Sequence, residues 1–421
     1  MDSFIGIDIG TSACRACAID DQARVLAEAR IPLPAPARSG DHVEQDPAIW
    51  WQCLLETLDA LNPRIAHTRI RRLALDGTSA TLLLCAPDGT PYTQGLMYND
   101  CRAMAPAERI RQAAPADSAA NSPCSSLAKL LYLKDRIAAQ DYLALHQADW
   151  LSSRLTGNFG ISDENNALKL GYDPLARRWP DWLRSLNLAD GCLPDVVAPG
   201  AYVGTVRKTL AARWNWTSAV EVVAGTTDST AGFIATGAQR DATAVTALGS
   251  TLVLKVLSPQ PVFNARHGIY SHRLGERWLV GGASNAGGAV LRRFFGPCDI
   301  KRYSRLLDPS RSTGLDYYPL PAIGERFPVA DPELQPRLSP RPASDREFFQ
   351  GLLEGLARIE QQGYRRLAAF GAPYPQQVIT VGGGAANRAW TQIRRGMLGI
   401  PVTCAAQQEA AYGAALLALR R

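Results

Sequence analysis

The chain contains the same local pattern twice, and this duplication constrains its fold more than any other feature of the sequence. An apolar strand over residues 4–9 meets the turn Gly10-Thr11-Ser12, and residues 11–19 are predicted as a second strand. Residues 244–255 repeat the order of strand, turn and strand around Gly249-Ser250-Thr251. The two copies lie too far apart for a solenoid repeat, so the pattern predicts two related domains.

Strands alternate with helical patterns in both halves of the chain. Apolar residues recur at helical spacing after Asp46-Pro47, over residues 129–151 and 346–370, and from 408 to 419. This alternation predicts an α/β fold with a mostly parallel sheet in each half. We place the boundary near residues 233–242 and expect one domain over residues 1–236 and a second over residues 237–421.

Composition excludes several broad classes of protein. The 421 residues are 46% hydrophobic and 20% charged, as in ordinary globular proteins rather than disordered or fibrous ones. The net charge of +6 includes no run of five like charges, so neither nucleic acid nor a membrane is an expected partner. The first ten residues lack the basic start of a signal peptide, and the charge-free apolar stretches fall short of the roughly 18 residues of a membrane span.

The cysteines point to the compartment. They number nine and are scattered, which favours a reducing compartment over a disulfide framework. Cys14 and Cys17 form a lone CxxC on a predicted strand, where positions i and i+3 face opposite sides, so no metal site is expected there. Cys124, in the loop before Lys129, could contact a substrate, but it is interpreted as a buried, inert thiol. These features predict a cytoplasmic protein.

Asp8 is the first residue that suggests chemistry. It lies in an otherwise apolar strand, where a buried and unpaired carboxylate is costly. The turn that follows, Gly10-Thr11-Ser12, offers backbone N–H groups and hydroxyls to a phosphate. A carboxylate beside such a turn suits Mg²⁺, which prefers carboxylate, water and phosphate oxygens. The alternative is an Asp that only caps the turn.

Asp228 is the second candidate carboxylate. It follows Gly225-Thr226-Thr227 at the end of a predicted strand and precedes a helix. In that position it can act as a general base that takes a proton from a sugar hydroxyl while a γ-phosphoryl group arrives. The alternative is a helix cap, because a negative charge is favourable at a helix N-terminus.

Two further glycine clusters suggest a nucleotide. Gly249-Ser250-Thr251 mirrors the first turn and could bind terminal phosphates, while Gly382 to Gly384 open a helix that carries Asn387 and Trp390. Glycine lets a planar base approach the backbone, and an asparagine can bond the edge of that base. The chain matches neither GxGxxG nor GxxxxGK[ST], so a Rossmann dinucleotide site and a P-loop are not expected.

The order of these motifs resembles that of the FGGY carbohydrate kinases. The resemblance extends over essentially the whole chain and rests on seven motifs in the family's order: Asp8-Ile-Gly-Thr-Ser, Tyr98-Asn-Asp-Cys-Arg-Ala, Gly225-Thr-Thr-Asp-Ser, Leu248-Gly-Ser-Thr, Gly324-Glu-Arg-Phe-Pro, Gly382-Gly-Gly-Ala-Ala-Asn and Glu409-Ala-Ala-Tyr-Gly-Ala-Ala. It implies an α/β fold of two actin-like, ribonuclease-H-like domains around a cleft, with sugar on the first domain and ATP mainly on the second.

The resemblance also implies roles for individual residues. Asp228 becomes the catalytic base, Asp8 lies near the sugar and holds Mg²⁺ together with Asp228, and Gly10, Thr11 and Ser12 face the phosphates, with Ser12 also near the sugar. The second phosphate turn would be Gly249, Ser250 and Thr251, and the adenosine pocket would comprise Gly383, Gly384, Asn387 and Trp390. The implied ligands are ATP, Mg²⁺ and a small sugar, bound by a monomer or a homodimer.

The identity of the sugar depends on the segment Asp76-Gly77-Thr78-Ser79. Xylulose kinases carry Gln-Met-His-Gly at this place, and glycerol kinases carry an Arg-Glu pair, so this chain lacks both sets of contacts. The small hydroxyl side chains of Thr78 and Ser79 leave room for a polyol and are the candidate substrate contacts. The alternative for both is an ordinary turn at the end of a strand.

Asp100 and Arg102 permit two interpretations. They could line the sugar cleft, or they could form an ion pair that holds their own loop. The Tyr98-Asn99-Asp100 sequence and the short chain resemble the compact D-ribulose kinase-like branch of the family, so D-ribulose is the expected substrate and D-ribulose 5-phosphate the product. Xylulose kinase, another polyol kinase and a non-catalytic sugar or nucleotide sensor are the alternatives.

Overall fold

A computed structural model describes residues 1–216 and 219–420 of the protein. Backbone contacts divide the chain into two compact units. Unit 1 comprises Met1–Ala235 together with Glu409–Arg421, and unit 2 comprises Thr236–Gln408. Each unit has its own hydrophobic core and its own six-stranded sheet.

Unit 1 alternates strands with mostly short helices. Its strands are β1 (Asp2–Ile9), β2 (Ala13–Ile19), β3 (Val25–Pro32), β4 (Ala37–Ser39), β5 (His42–Gln45), β6 (Arg69–Gly77), β7 (Leu82–Cys85), β8 (Gly95–Leu96), β9 (Leu143–His146), β10 (Ile161–Asp163), β11 (Asp195–Val197), β12 (Tyr202–Thr205) and β13 (Glu221–Thr227). Its helices are α1 (Pro47–Leu61), α2 (Met104–Ala113), α3 (Ser126–Lys134), α4 (Gln147–Thr156), α5 (Glu164–Ala167), α6 (Lys208–Arg213) and α7 (Asp228–Ala235).

The main sheet of unit 1 has the strand order β12-β13-β6-β1-β2-β3. Strands β13, β6 and β1 run parallel to one another, whereas β12, β2 and β3 pair antiparallel with their neighbours. The prediction of a mostly parallel sheet was therefore wrong. The reason is that β1, β2 and β3 follow one another through short turns, which permit only antiparallel pairing.

Unit 2 repeats this plan with fewer elements. Its strands are β14 (Thr243–Leu248), β15 (Leu252–Ser258), β16 (Tyr270–Leu274), β17 (Arg277–Ser284), β18 (Gln377–Val381) and β19 (Val402–Cys404), and its helices are α8 (Gly288–Phe294), α9 (Pro297–Leu306), α10 (Asp345–Ala369) and α11 (Arg388–Leu398). The sheet order is β16-β17-β15-β14-β18-β19, again with parallel and antiparallel pairs.

A buried ion pair joins the sheet of unit 2 to its helices. Arg394 of α11 donates from Nε to Glu360 of α10 at 2.6 Å, and both side chains are almost fully buried. Glu360 also accepts a hydrogen bond from Thr246 of β14 at 2.5 Å. This network fixes β14, and with it the turn at Gly249, against the two helices.

The last helix, α12 (Ala410–Leu419), belongs to unit 1. Residues 409–421 fall within the predicted second domain along the chain, but they pack with unit 1 in the structure. Gly6 explains why α12 packs so closely on β1, because a Cβ on Gly6 would lie 2.0 Å from the Ala411 carbonyl oxygen and 2.1 Å from the Ala415 nitrogen. Only a glycine permits that approach.

A second correction concerns residues 129–151, which were predicted as one helical segment. The structure divides them among the end of α3, the strand β9 and the start of α4. β9 pairs with β7 in a smaller sheet of order β4-β5-β8-β7-β9. An apolar run as short as Leu143–His146 fits either a helix or a strand, and only its non-local partner decides between them.

Over the described residues, none of the helices combines the length and the apolar character that a membrane crossing requires.

The close contact at Gly6 gives a stability prediction. Gly6→Ala should lower the free energy of unfolding by about 2 kcal/mol or more, because the added methyl group meets backbone atoms that cannot move aside. Gly396→Ala is the control, since Gly396 lies in α11 with no atom within 4 Å of its Cβ position. Chemical denaturation should show a loss for the first variant only, and an equal loss for both would contradict the packing argument.

Candidate functional site

Three carboxylates lie at the carboxyl ends of the parallel strands of unit 1. Asp8 is near the end of β1, Asp76 is near the end of β6, and Asp228 begins the helix that follows β13. Asp8 and Asp76 are directly opposite each other in the register of β1 and β6, and Thr226 of β13 is opposite Asp76. In α/β proteins, ligands bind at this edge of the sheet.

Asp8 is buried and paired with an arginine. Its Oδ2 accepts a hydrogen bond from Arg15 Nη1 at 3.0 Å, and Arg15 Nε lies 3.7 Å from a carboxylate oxygen of Glu409. Burial raises the pKa of Asp8, although hydrogen bonding with Asp76 and the positive charge of Arg15 oppose that rise. The Arg15 contact provides the charge compensation that a carboxylate in an apolar strand requires.

Asp76 is fully buried and lacks such compensation. Neither of its oxygens accepts a hydrogen bond from a donor in residues 1–216 or 219–420. Burial raises the pKa of Asp76 well above its usual range, and the nearby charges of Asp8 and Asp228 raise it further. Two adjacent carboxyl groups cannot both ionise at low cost, so we assign the shared proton to Asp76 and the charge to Asp8.

Neither Asp76 nor Arg15 was among the site residues predicted from the sequence. Asp76 had a usable signal, since it follows the apolar strand residues Leu73 to Leu75 just as Asp8 follows those of β1. Arg15 had no such signal, because an arginine on a strand most often faces solvent.

Asp228 is half-buried at the first position of α7. Its Oδ1 accepts a hydrogen bond from the adjacent Ser229 backbone N–H at 2.6 Å, and its negative charge is favourable at the helix N-terminus. This position is compatible with catalysis, because the carboxylate is partly accessible and lies close enough to Asp76 to affect its pKa.

The turn after β1 has the form expected of a phosphate site. The Gly10 backbone N–H donates to the Ala13 carbonyl at 3.1 Å and closes the turn. Thr11 and Ser12 are exposed, and their hydroxyl groups form no hydrogen bond with other described residues. Both hydroxyls are therefore accessible to a ligand.

The turn after β6 distinguishes the two residues that were expected to touch the sugar. The Thr78 hydroxyl is buried and hydrogen-bonded to the Thr81 hydroxyl at 2.5 Å and to Gln147 Oε1 at 3.1 Å. These contacts favour the alternative, in which Thr78 is an ordinary turn residue. Ser79 is half-buried, and its hydroxyl has no hydrogen bond with the rest of the described chain. Of the two, Ser79 alone presents a hydroxyl that a substrate could use.

Asp100 also has a structural role. Its carboxylate accepts hydrogen bonds from the Val43 backbone at 2.6 Å and from Arg102 Nη2 at 2.7 Å, and its side chain is fully buried. Of the two interpretations weighed from the sequence, the geometry favours the ion pair that holds the loop. Arg102 extends this network to Glu44, which it contacts at 2.8 Å.

In unit 2, the turn Gly249-Ser250-Thr251 connects β14 to β15 and is hydrogen-bonded to the start of α8. The backbone N–H groups of Gly288 and Ala289 donate to the carbonyls of Gly249 and Ser250 at 2.9 and 3.1 Å. The exposed Ser250 hydroxyl accepts a hydrogen bond from Arg292 Nη2 at 2.7 Å. The turn thus combines exposed backbone with an adjacent positive charge, as an anion site requires.

The residues expected to form an adenosine pocket divide into two groups. Gly383 is exposed and Gly384 half-buried in the turn that follows β18. Asn387 instead caps α11: its Oδ1 accepts from the Trp390 backbone at 3.1 Å and its Nδ2 donates to Ser304 at 2.8 Å. Trp390 is a core residue with 2% of its surface exposed. Neither side chain is free to bind a base in this conformation.

Two cysteines depart from expectation. Cys101 and Cys124 form a disulfide with a Cα–Cα distance of 4.4 Å, so the interpretation of Cys124 as an inert buried thiol was wrong. The other seven cysteines are free, as expected outside a disulfide framework. Cys101 adjoins Asp100 and Cys124 precedes α3, so the bridge fixes the loop of Asp100 to that helix.

The carboxylates of unit 1 fit Mg²⁺ in their chemistry. Asp8 and Asp228 supply hard oxygen ligands, and the oxygens of Asp76, which have no hydrogen-bond partner in the described chain, lie beside Asp8. Among the described residues, however, no group of three or more His, Cys, Asp or Glu side chains is arranged to hold a metal. This arrangement suits Mg²⁺ better than a metal bound by protein alone, because Mg²⁺ is usually held by one or two carboxylates together with substrate phosphates.

Comparison with known proteins identifies the family. Residues 3–235 match the N-terminal domain of the FGGY family of carbohydrate kinases, and residues 244–421 match its C-terminal domain. The chain is 22% identical to the xylulose kinase of Staphylococcus xylosus, covering 99% of this chain and 90% of that protein. It is 24% identical to the xylulose kinase of Escherichia coli, covering 93% and 84%.

Solved structures agree with this result. A kinase from Brucella ovis, described as a xyloylose kinase, superimposes with a TM-score of 0.90 at 25% identity, covering 99% of this chain and 90% of that one. The glycerol kinase of Plasmodium falciparum has the same fold, with a TM-score of 0.87 at 15% identity and coverage of 99% and 89%.

The chain therefore belongs to the FGGY family of carbohydrate kinases, as its motifs predicted. It has the two-domain, actin-like fold of that family, and its activity is ATP-dependent phosphorylation of a sugar.

The environment of Asp76 gives a prediction about pH. A raised pKa in the folded protein means that the native state binds the proton more tightly, so the stability from this group is present at low pH and is lost as the pH rises. Asp76→Asn removes this dependence. In metal-free urea denaturation, the stability of the variant relative to the wild type should rise as the pH increases above the ordinary aspartate pKa of about 4, by up to about 1.4 kcal/mol for each pH unit. A difference that is constant with pH would contradict the assignment.

Proposed function

We propose that the protein phosphorylates D-ribulose to D-ribulose 5-phosphate, using ATP and Mg²⁺. The observation that carries the proposal is the convergence of Asp8, Asp76 and Asp228 at one sheet edge, next to a phosphate-type turn with free hydroxyls. Phosphoryl transfer requires little beyond positioning, a base and the neutralisation of charge, and this edge offers groups for all three.

Asp228 acts as the general base in the proposed mechanism. Its partly accessible carboxylate takes the proton from the sugar hydroxyl as that oxygen attacks the γ-phosphoryl group. The hydrogen bond from the Ser229 N–H restricts rotation of the carboxylate. Little side-chain entropy is therefore lost when the carboxylate accepts the proton.

Each unit offers one glycine turn to phosphate groups. Thr11 and Ser12 in unit 1 supply hydroxyls, and Gly249 to Thr251 in unit 2 supply exposed backbone with Arg292 beside it. Asp8 and Asp228 would hold Mg²⁺, which when bound neutralises phosphate charge. In unit 2, Gly383 and Gly384 provide backbone that a nucleotide base could approach. Asn387 and Trp390 stabilise the start of α11, which follows this turn.

The choice of D-ribulose depends on Ser79. This residue stands in the segment where xylulose kinases carry histidine and glycerol kinases carry an Arg-Glu pair, and its hydroxyl has no hydrogen bond with the described residues. A small donor and acceptor of this kind suits a ketose that brings its own hydroxyl groups to the site. The names of the relatives favour D-xylulose as the alternative substrate.

A coupled assay of ADP release tests the substrate and the base together. With ATP and Mg²⁺, D-ribulose should give the highest kcat/KM among D-ribulose, L-ribulose, D-xylulose, L-xylulose, glycerol and ribitol. Asp228→Ala should lower kcat for the best substrate by about 10²–10⁴-fold, since it removes the base, while calorimetry shows that ATP binding is retained.

Other outcomes would count against specific parts of the proposal. A preference for D-xylulose would replace the substrate but keep the mechanism. Full activity in Asp228→Ala would overturn the role of the base. ADP release that none of the sugars stimulates would favour a sugar or nucleotide sensor over a kinase of these substrates.

A further inference from the structure

Lys129 is a buried cation that the proposed chemistry does not use. It extends from the first turn of α3, its side chain is fully buried, and it forms no ion pair with the described residues. Its Nζ instead donates to two backbone carbonyls, those of Ala80 and Met97, each at 2.7 Å. Burial lowers the pKa of Lys129 to about 7, and the negative charge of Asp100 opposes that shift. Burial of a lysine is energetically unfavourable, so its two hydrogen bonds suggest that it has a function at this position.

The first carbonyl belongs to a strained residue. Ala80 has a φ of +68°, a left-handed conformation that side chains other than glycine rarely adopt. Such a residue keeps its conformation only where its surroundings enforce it, and this kind of strain is concentrated at functional sites. The hydrogen bond from Lys129 holds the carbonyl of Ala80 in place and so enforces this turn.

Ser79 lies between two anchored residues. On one side, Thr78 is fixed by Gln147, which accepts hydrogen bonds from the Thr78 backbone at 3.2 Å and from its hydroxyl at 3.1 Å. On the other side, Ala80 is fixed by Lys129. The Ser79 side chain is half-buried and has no hydrogen bond with the described residues, so its position depends on the backbone that these two anchors hold.

The second carbonyl that Lys129 contacts belongs to Met97, in a neighbouring loop. Met97 follows β8, and its carbonyl accepts hydrogen bonds both from Lys129 and from the Asp100 backbone N–H at 2.9 Å. The Met97 backbone N–H in turn donates to Val43 at 2.9 Å. Lys129 therefore joins the turn of Ser79 to the loop that carries Asp100.

We infer that Lys129 is a positioning residue for the sugar site, which holds Ser79 in place through the carbonyls of Ala80 and Met97. This inference rests on the proposed function, because Ser79 is the proposed sugar contact. Lys129 itself does not touch the sugar, and its effect is confined to the acceptor side of the reaction.

The chain offers a closely matched control. Lys134 lies on the same helix and also donates from Nζ to two backbone carbonyls, those of Leu186 at 3.3 Å and Asn187 at 2.8 Å. It is thus the same residue type, in the same helix, with the same kind of bonds, but it holds a segment that contributes no residue to the proposed site.

The first test does not require activity. Amide hydrogen exchange of the full chain should become about tenfold faster at Thr81 and Asp100 in Lys129→Met, because their N–H groups are bonded within the two anchored turns. Lys134→Met should leave both amides unchanged. Unchanged exchange in Lys129→Met would overturn the inference, whether or not any sugar is a substrate.

The second test separates a positioning role from a merely structural one. Lys129→Met should raise the KM for the best sugar by about tenfold and leave the KM for ATP unchanged, since the anchored turn faces only the acceptor. Lys134→Met should change neither constant. Equal KM values for the sugar in the wild type and Lys129→Met, or a parallel rise in the KM for ATP, would overturn the inference.

If Lys129→Met does not fold, the double variant Lys129→Met with Ala80→Gly keeps the proposal testable. Glycine relieves the strain at Ala80, so folding no longer depends on the lysine, while the carbonyls of the two turns remain unanchored. The sugar KM should still be raised in this variant and should match the wild type if the inference is wrong.

A wild-type protein that phosphorylates none of the sugars would refute the proposed function alone. Hydrogen exchange would then decide whether Lys129 anchors the turns.

Discussion

The site of unit 1 depends on how carboxylates are held at the end of a buried sheet. The register of β1 and β6 places Asp8 directly opposite Asp76, and neither residue is well exposed to water. Arg15 compensates Asp8, whereas Asp76 remains without a donor and retains a proton. The protein thus maintains an electrostatically unfavourable arrangement at one edge of an otherwise apolar sheet, and such arrangements are typical of sites that bind a cation or a polar ligand.

Several side chains near the two proposed ligand sites are bonded within the protein and are not available to a ligand. Thr78, Asp100 and Asn387 each use their polar atoms to fix a turn or a helix end. The groups that remain without a partner are mostly glycine backbone and a few small hydroxyls, those of the exposed Thr11 and Ser12 and of the half-buried Ser79. The contacts available to substrates are therefore few, and their precision comes from the rigidity of the turns that carry them.

The sequence was most informative where structure is local. Strand ends, glycine turns and the positions of Asp8 and Asp228 follow from a few consecutive residues, and the order of the motifs identified the family. Pairing between distant segments could not be predicted in the same way. Gln147 lies 69 residues from Thr78, and Ser304 lies 83 residues from Asn387, so nothing near either residue showed that its polar atoms were already used. The same limit explains why the packing of α12 on β1, the strand β9 and the disulfide at Cys101 were not predicted.

The central claim is that the acceptor sugar binds at the carboxyl ends of β1, β6 and β13. Hydrogen exchange of the wild-type protein with and without D-ribulose, in the absence of nucleotide, tests this claim most directly. The account predicts slower exchange in residues 9–13, 77–81 and 226–230 of unit 1, with no change in the turns at Gly249 and Gly383. Protection confined to unit 2, or protection in unit 1 that avoids these three segments, would contradict it.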